Sequence, residues 1–232
     1  MPGALTLEVR FRLKRWQYHI MTGEIPHVTS EPDFLELATT WLRIFDHAFF
    51  FNLVRSGLNQ QNPIKIYYDD SDERANGYCT HGCFIIKPTI SLNTYRDDDD
   101  GSASSLARDM IGVLLHEMLH AFLWLYCCEC DECDKRTVSG KGHSGQSGHG
   151  PNFINALNAI EEAFQDHIQW EVDGGIMQSL ALEMATSGWV SRDDQLQRWG
   201  IDYQDLVASA EEMEPGDLNS GDGQVLCLCS VM

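Results

Sequence analysis

Apolar residues recur along this chain with two periods, and the change of period separates its expected helices from its expected strands. From Asp33 to Arg55 the residues Phe34, Leu37, Ala38, Trp41, Leu42, Phe45, Ala48, Phe49 and Val54 return at helical spacing. That predicts one amphipathic helix ending near Gly57, with its aromatic stripe in the core. Ile64-Lys65-Ile66-Tyr67-Tyr68 alternates instead, as a strand does. Gly77-Tyr78-Cys79-Thr80, Phe84-Ile85-Ile86-Lys87 and Thr89-Ile90-Ser91-Leu92 follow as short strands, with His81-Gly82-Cys83 between the first two. Met110 to Tyr126 is a helix apolar almost all round, which Ser104 or Ser105 can cap. Asn152 to Trp170, Ile176 to Ser187 and Gln195 to Ala210 regain helical spacing. The expected fold class is α+β, a small, mostly antiparallel sheet packed with helices.

Residues 5 to 18 alternate loosely and read as an edge strand or arm, with Arg10, Arg12, Lys14 and Arg15 on one basic face. The chain then divides into an arm (1–32), a main domain (33–170), a helical C-terminal extension (171–210) and an acidic flexible tail (211–232). Asp97 to Asp100 read as a solvated acidic loop.

Composition is ordinary at 43% hydrophobic and 22% charged, but the net charge of -19 is not. So acidic a surface repels nucleic acid phosphate and sets DNA binding at a disadvantage. The start Met1-Pro2-Gly3-Ala4-Leu5 lacks the pattern of a secretory signal, and no stretch is long enough to span a bilayer. The expectation is an intracellular protein, whose eight cysteines are thiols or metal ligands.

The chemistry gathers in the apolar helix, which carries Leu115-His116-Glu117-Met118-Leu119-His120, an H-E-x-x-H motif. Four residues apart on a helix, His116 and His120 share a face and can grip one metal ion. Glu117, one position round, can reach a water in the open coordination position and take its proton. Three ionisable groups are costly in so apolar a segment unless something compensates them, which argues against a core helix that merely happens to carry them.

A catalytic zinc usually takes three protein ligands. The candidates for the third are His149, His143, His81 and the helical Glu161 or Glu162. Glycines beside His149 allow close backbone approach, and Pro151 with Asn152 can start the next helix, so His149 is preferred as a ligand held at a rigid helix start.

Leu115-His116-Glu117-Met118-Leu119-His120-Ala121 followed by Gly148-His149-Gly150-Pro151-Asn152-Phe153 resembles the signature of SprT-like zinc metalloproteases, the group that includes Spartan. The resemblance runs from about Asp33 to Phe164. It implies a zincin-like fold, Zn2+ on His116, His120 and His149, Glu117 as general base, and hydrolysis of peptide bonds in a protein substrate. Spartan-type enzymes cleave proteins crosslinked to DNA. The DNA-contact module that follows their protease part is not visible after Trp170, and here a longer segment separates His120 from His149.

That segment holds Cys127, Cys128, Cys130 and Cys133, whose spacings suit a second zinc, with His143 or with Cys79 and Cys83, as well as they suit a reduced, metal-free loop. The end, Cys229-Ser230-Val231-Met232, fits a prenylation signal of the farnesyl type, with Cys227 available for palmitate. Peripheral membrane association through farnesylated Cys229 is the partner this implies. The leading expectation is an intracellular zinc endopeptidase, cytoplasmic and membrane-tethered if lipidated. Its rivals are a DNA-dependent nuclear repair protease using the basic arm, and a catalytically silent zinc-stabilised scaffold.

Overall fold

The first helix begins where the chain supplies a cap: Ser30 Oγ accepts the backbone N–H of Asp33, and Pro32 fills the first turn. The computed structural model describes residues 14, 30–68, 77–80, 87–94, 103–126, 147–168, 171–213 and 227–229. Helix α1, Glu31–Ala48, buries Phe34, Leu37, Ala38, Trp41, Leu42 and Phe45, the face its apolar period marks. Trp41 and Phe45 close on Phe164 of a later helix, with ring centroids 6.1 and 5.7 Å away.

The single helix expected to Arg55 is broken. Its chain stops at Ala48, turns through Phe51 and Asn52 at φ 57° and 63°, and restarts as α2, Val54–Gly57. Asp46 builds the turn. Its carbonyl accepts the N–H groups of Phe50 and Asn52 at 3.2 and 2.8 Å, and its buried carboxylate accepts those of Val54 and Arg55 at 2.9 and 3.3 Å. The apolar period runs through the break because Phe49 and Phe50 still pack on the core, so only the local hydrogen bonds mark it.

Strands β1, Ile64–Tyr67; β2, Gly77–Thr80; β3, Thr89–Asn93; and β4, Cys227–Cys229, form one sheet in the order β1-β3-β2-β4. Of its pairings, β2 with β3 and β2 with β4 are antiparallel, whereas β1 runs parallel to β3 with Ile64 opposite Ile90. Every residue of the inner strand β3 is buried. Residues 227–229, read from composition as flexible tail, thus add backbone to the edge of β2, which would otherwise present unpaired donors and acceptors.

Helix α3, Ala103–Tyr126, packs against β2, β3 and α1 and is buried without interruption from Met110 to Ala121. It starts early enough that Ser104 and Ser105 lie inside it and do not precede it as caps. Helix α4, Pro151–Ile168, lies on α3; α5, Ile176–Ser187, lies on α4; and α7, Tyr203–Glu212, packs on α5. The one helix expected from Gln195 to Ala210 is two, α6 (Asp193–Trp199) and α7. Gly200 ends the first at φ 68°, and Asp202 caps the second by accepting the Gln204 N–H at 2.7 Å. Val172, Ile176, Leu180, Leu196, Trp199 and Leu206 belong to the same buried cluster as α1, α3 and the sheet, so the segment beyond Trp170 shares the core of the main domain. The fold is α+β, and among the described residues no helix is long and apolar enough to cross a membrane.

Of the expected strands, Phe84-Ile85-Ile86 lies outside the described residues, as do the basic arm apart from Lys14 and the Asp97–Asp100 loop.

Candidate metal centre

Helical spacing places His116 and His120 one turn apart on α3, facing the start of α4. The third imidazole comes from the residues that lead into α4: Gly148, at φ 90°, reverses the chain so that His149 points back across it just before Pro151 begins the helix. The three Nε2 atoms form a nearly equilateral triangle, 3.0 Å from His116 to His120 and 3.1 Å from His149 to each of them. His116, His120 and His149 are 1%, 6% and 1% exposed. Phe153, one turn into α4, touches all three rings and stacks on His120 at a centroid distance of 4.3 Å. It forms an apolar floor that blocks the rings from turning away.

Hydrogen bonds on the far side of two rings decide where their protons sit. His116 Nδ1 donates to the Gly174 carbonyl at 2.6 Å, which leaves its Nε2 a bare lone pair in the neutral ring. Ser147 Oγ gives its proton to Glu183 Oε2 at 2.6 Å and accepts His149 Nδ1–H at 3.0 Å. His149 Nε2 is therefore bare as well. Two lone pairs converging at 3.1 Å repel one another unless a cation sits between them. A metal at the usual nitrogen distance of about 2.0–2.1 Å can be reached from all three nitrogens at once.

Electrostatics keep the rings in the same form. Burial pulls the His116 pKa down from 6.5 to about 4, against the partial support of its bond to Gly174. His149 is lowered well below its ordinary value, first by burial and then by the neighbouring His116. Neutral imidazole is the form that ligates metal, so His116 and His149 are ready for a cation without first shedding protons. The three histidines make a buried set able to hold a metal ion.

No family model, curated protein or solved structure matches the chain.

Glu117 lies beside the triangle on α3, fully buried, with its Cγ 3.4 Å from where a Cβ on Gly77 would stand. The motif glutamate thus sits between its own helix and the start of strand β2. Glu161 is not a member of the set: its Oε1 accepts the Gly174 N–H at 2.7 Å. Glu162 accepts the Asn158 side-chain amide on the exposed face of α4. Cys79 is buried in β2. His81, Cys83, Cys127, Cys128, Cys130, Cys133 and His143 lie outside the described residues, and Cys227 and Cys229 are described only as backbone of β4.

Sequence reasoning missed Ser147, Gly174 and Glu183, which hold two of the imidazoles from behind. One signal was present for Glu183. With Ile176 and Leu180 it falls at i, i+4 and i+7, so an acidic residue stands on the apolar stripe of its helix, and all three are buried. Gly112 was overlooked too. A Cβ there would collide with the Asp173 carbonyl oxygen, so the bare glycine lets the chain that carries Gly174 press against α3.

Proposed function

We propose that this chain is a zinc-dependent endopeptidase of the SprT-like, zincin-like type, with His116, His120 and His149 as metal ligands and Glu117 as general base. The observation that carries the reading is the convergence of three Nε2 atoms within 3.1 Å of one another beside a buried glutamate on the same helix. A purely structural zinc site is normally closed by a fourth protein ligand and has no use for that glutamate. Three imidazoles with a carboxylate alongside fit an open position where substrate and water meet.

Bound zinc would supply a Lewis acid that polarises the scissile carbonyl and lowers the pKa of water towards about 7. The chain supplies the rest. The Glu117 carboxylate accepts the proton of the attacking water and returns it to the departing amine nitrogen. Burial keeps His116 and His149 neutral, their outward bonds to Gly174 and Ser147 hold the proton on Nδ1, and Phe153 keeps the rings in place. Burial of Glu117 keeps its proton transfers out of bulk water.

The test is cleavage of an unstructured protein by zinc-loaded enzyme beside Glu117→Gln, with and without single-stranded DNA. Cleavage lost in a variant that still binds zinc supports the proposal, and retained cleavage refutes the role of Glu117. Dependence on DNA would add the crosslink-repair role, against the repulsion expected from a charge of -19. Zinc binding without any cleavage would make the site that of a scaffold.

A further inference from the structure

The structure assigns Glu183, acting through Ser147, as a positioning residue that sets how tightly the three-histidine centre holds its metal. The inference rests on the metal-binding part of the proposed function and is independent of whether the site cleaves peptides.

Glu183 is 2% exposed on a helix whose other buried members include Ile176, Leu180 and Ala181. Removing a carboxylate from water is costly, so its place on that stripe needs compensation. The compensation visible is specific: Oε2 accepts both donors of a single residue, Ser147 N–H at 2.8 Å and Ser147 O–H at 2.6 Å. The second is in the short range of a hydrogen bond to a charged acceptor. Two bonds to one serine fix both the place of its Oγ and the direction of its proton. Because that proton points at Glu183, the lone pairs of Oγ are left for His149 Nδ1–H, 3.0 Å away. The glutamate therefore determines the tautomer of His149 without touching it, and its charge, passed through the hydroxyl, makes Nε2 a stronger donor to a metal.

The same element orients a second ligand. Gly174 and Gly175 stand immediately before α5, and the Gly174 carbonyl accepts from His116 Nδ1 at 2.6 Å. Two ligands are thus aimed from one helix and its lead-in, His116 from its start and His149 from its third turn. Gly174 is itself held by Glu161 and by the close contact of Asp173 with Gly112. An anchor whose purpose was to tie down the loop before α4 would need the Ser147 N–H bond alone. The additional hydroxyl, set between a buried charge and a ligand ring, is what points to control of the metal site.

The experiment uses the full chain and three variants, Ser147→Ala, Glu183→Gln and the two together. It reads zinc affinity by competition with a chelator and the visible absorption of the cobalt-loaded protein. Each single variant is expected to lose about 10–100-fold in affinity. The double variant should lose no more than Ser147→Ala, because Glu183 acts through the serine. Affinities equal to that of the unaltered protein, with only the melting temperature lowered, would make the pair a loop anchor and overturn the inference. Losses that add in the double variant would overturn the relay. Independently of how the variants fold, nitrogen-15 spectra of the unaltered zinc-loaded protein must show His149 protonated on Nδ1; a proton on Nε2 would end the idea. Failure of the unaltered protein to bind zinc or cobalt would refute the metal reading and this inference together, which the other outcomes do not.

Discussion

Gly112→Ala sets two opposing effects against each other, and the structure decides the sign. In an exposed helix the change would stabilise by about 1 kcal/mol, since alanine is the better helix former. Gly112 is buried on α3, and the added methyl would land on the Asp173 carbonyl oxygen, a backbone atom that cannot rotate aside. Overpacking of that kind costs about 1–3 kcal/mol. Any retreat of Asp173 pulls Gly174 from His116 Nδ1, a hydrogen bond contributing on the order of 1 kcal/mol. The net expectation is destabilisation by roughly 1–3 kcal/mol, or a fall in melting temperature of about 2–12 °C for a domain of this size. Thermal unfolding of the metal-free protein measures it, and chelator competition should show a parallel loss of zinc affinity. A rise in melting temperature with zinc affinity unchanged would refute the claim that residues 173–175 are pressed against the motif helix.

Acid and alkali act on different residues. Burial pushes the Glu161 carboxyl up from 4.5 to about 7, so its stabilising difference is complete below pH 4.5 and is lost as pH rises through 7, by up to about 3 kcal/mol. Glu161→Gln, which can still accept the Gly174 N–H, should raise stability at pH 8 by up to that amount and change little at pH 4.5; equal effects in urea titrations at both values would contradict this. His116 has the opposite sign: with its pKa lowered from 6.5 to about 4, the metal-free protein keeps this stability above pH 6.5 and loses it as pH falls towards 4. Removing its ring while leaving the acid-side loss intact would assign that loss elsewhere. Asp46→Ala should destabilise by about 1–3 kcal/mol, because it strands the N–H groups of Val54 and Arg55 at a buried turn, and Asp46→Asn by less; equal, negligible effects would remove Asp46 as the organiser of the α1–α2 break.

What the chain discloses by itself depends on the reach of the contact. His116 and His120 were legible because both lie on one helix, where spacing alone fixes the face. His149 was legible because glycines and a proline around it announce a helix start. The supports of those imidazoles were not, since Gly174 and Glu183 meet the site only through tertiary packing and no local pattern couples them to it. The same limit applies to the sheet: alternation located β1 and β3 but carries nothing about the direction in which they pair, and they pair parallel. The turn at Phe51 and Asn52 escaped for another reason, as phenylalanines continue the apolar period across it. Gly200 and Asp202, by contrast, are ordinary stop and start signals inside a stretch that periodicity alone had joined.

The order in which the parts of the centre appear along the chain bears on its synthesis. All three imidazoles and Glu117 are synthesised before Gly174 or Glu183. A nascent chain in that interval carries every group that can grip a metal and none of the α5 contacts that fix which nitrogens are bare. The tautomers of His116 and His149 are therefore set only once α5 has been made and has docked on α4, later than the imidazoles themselves.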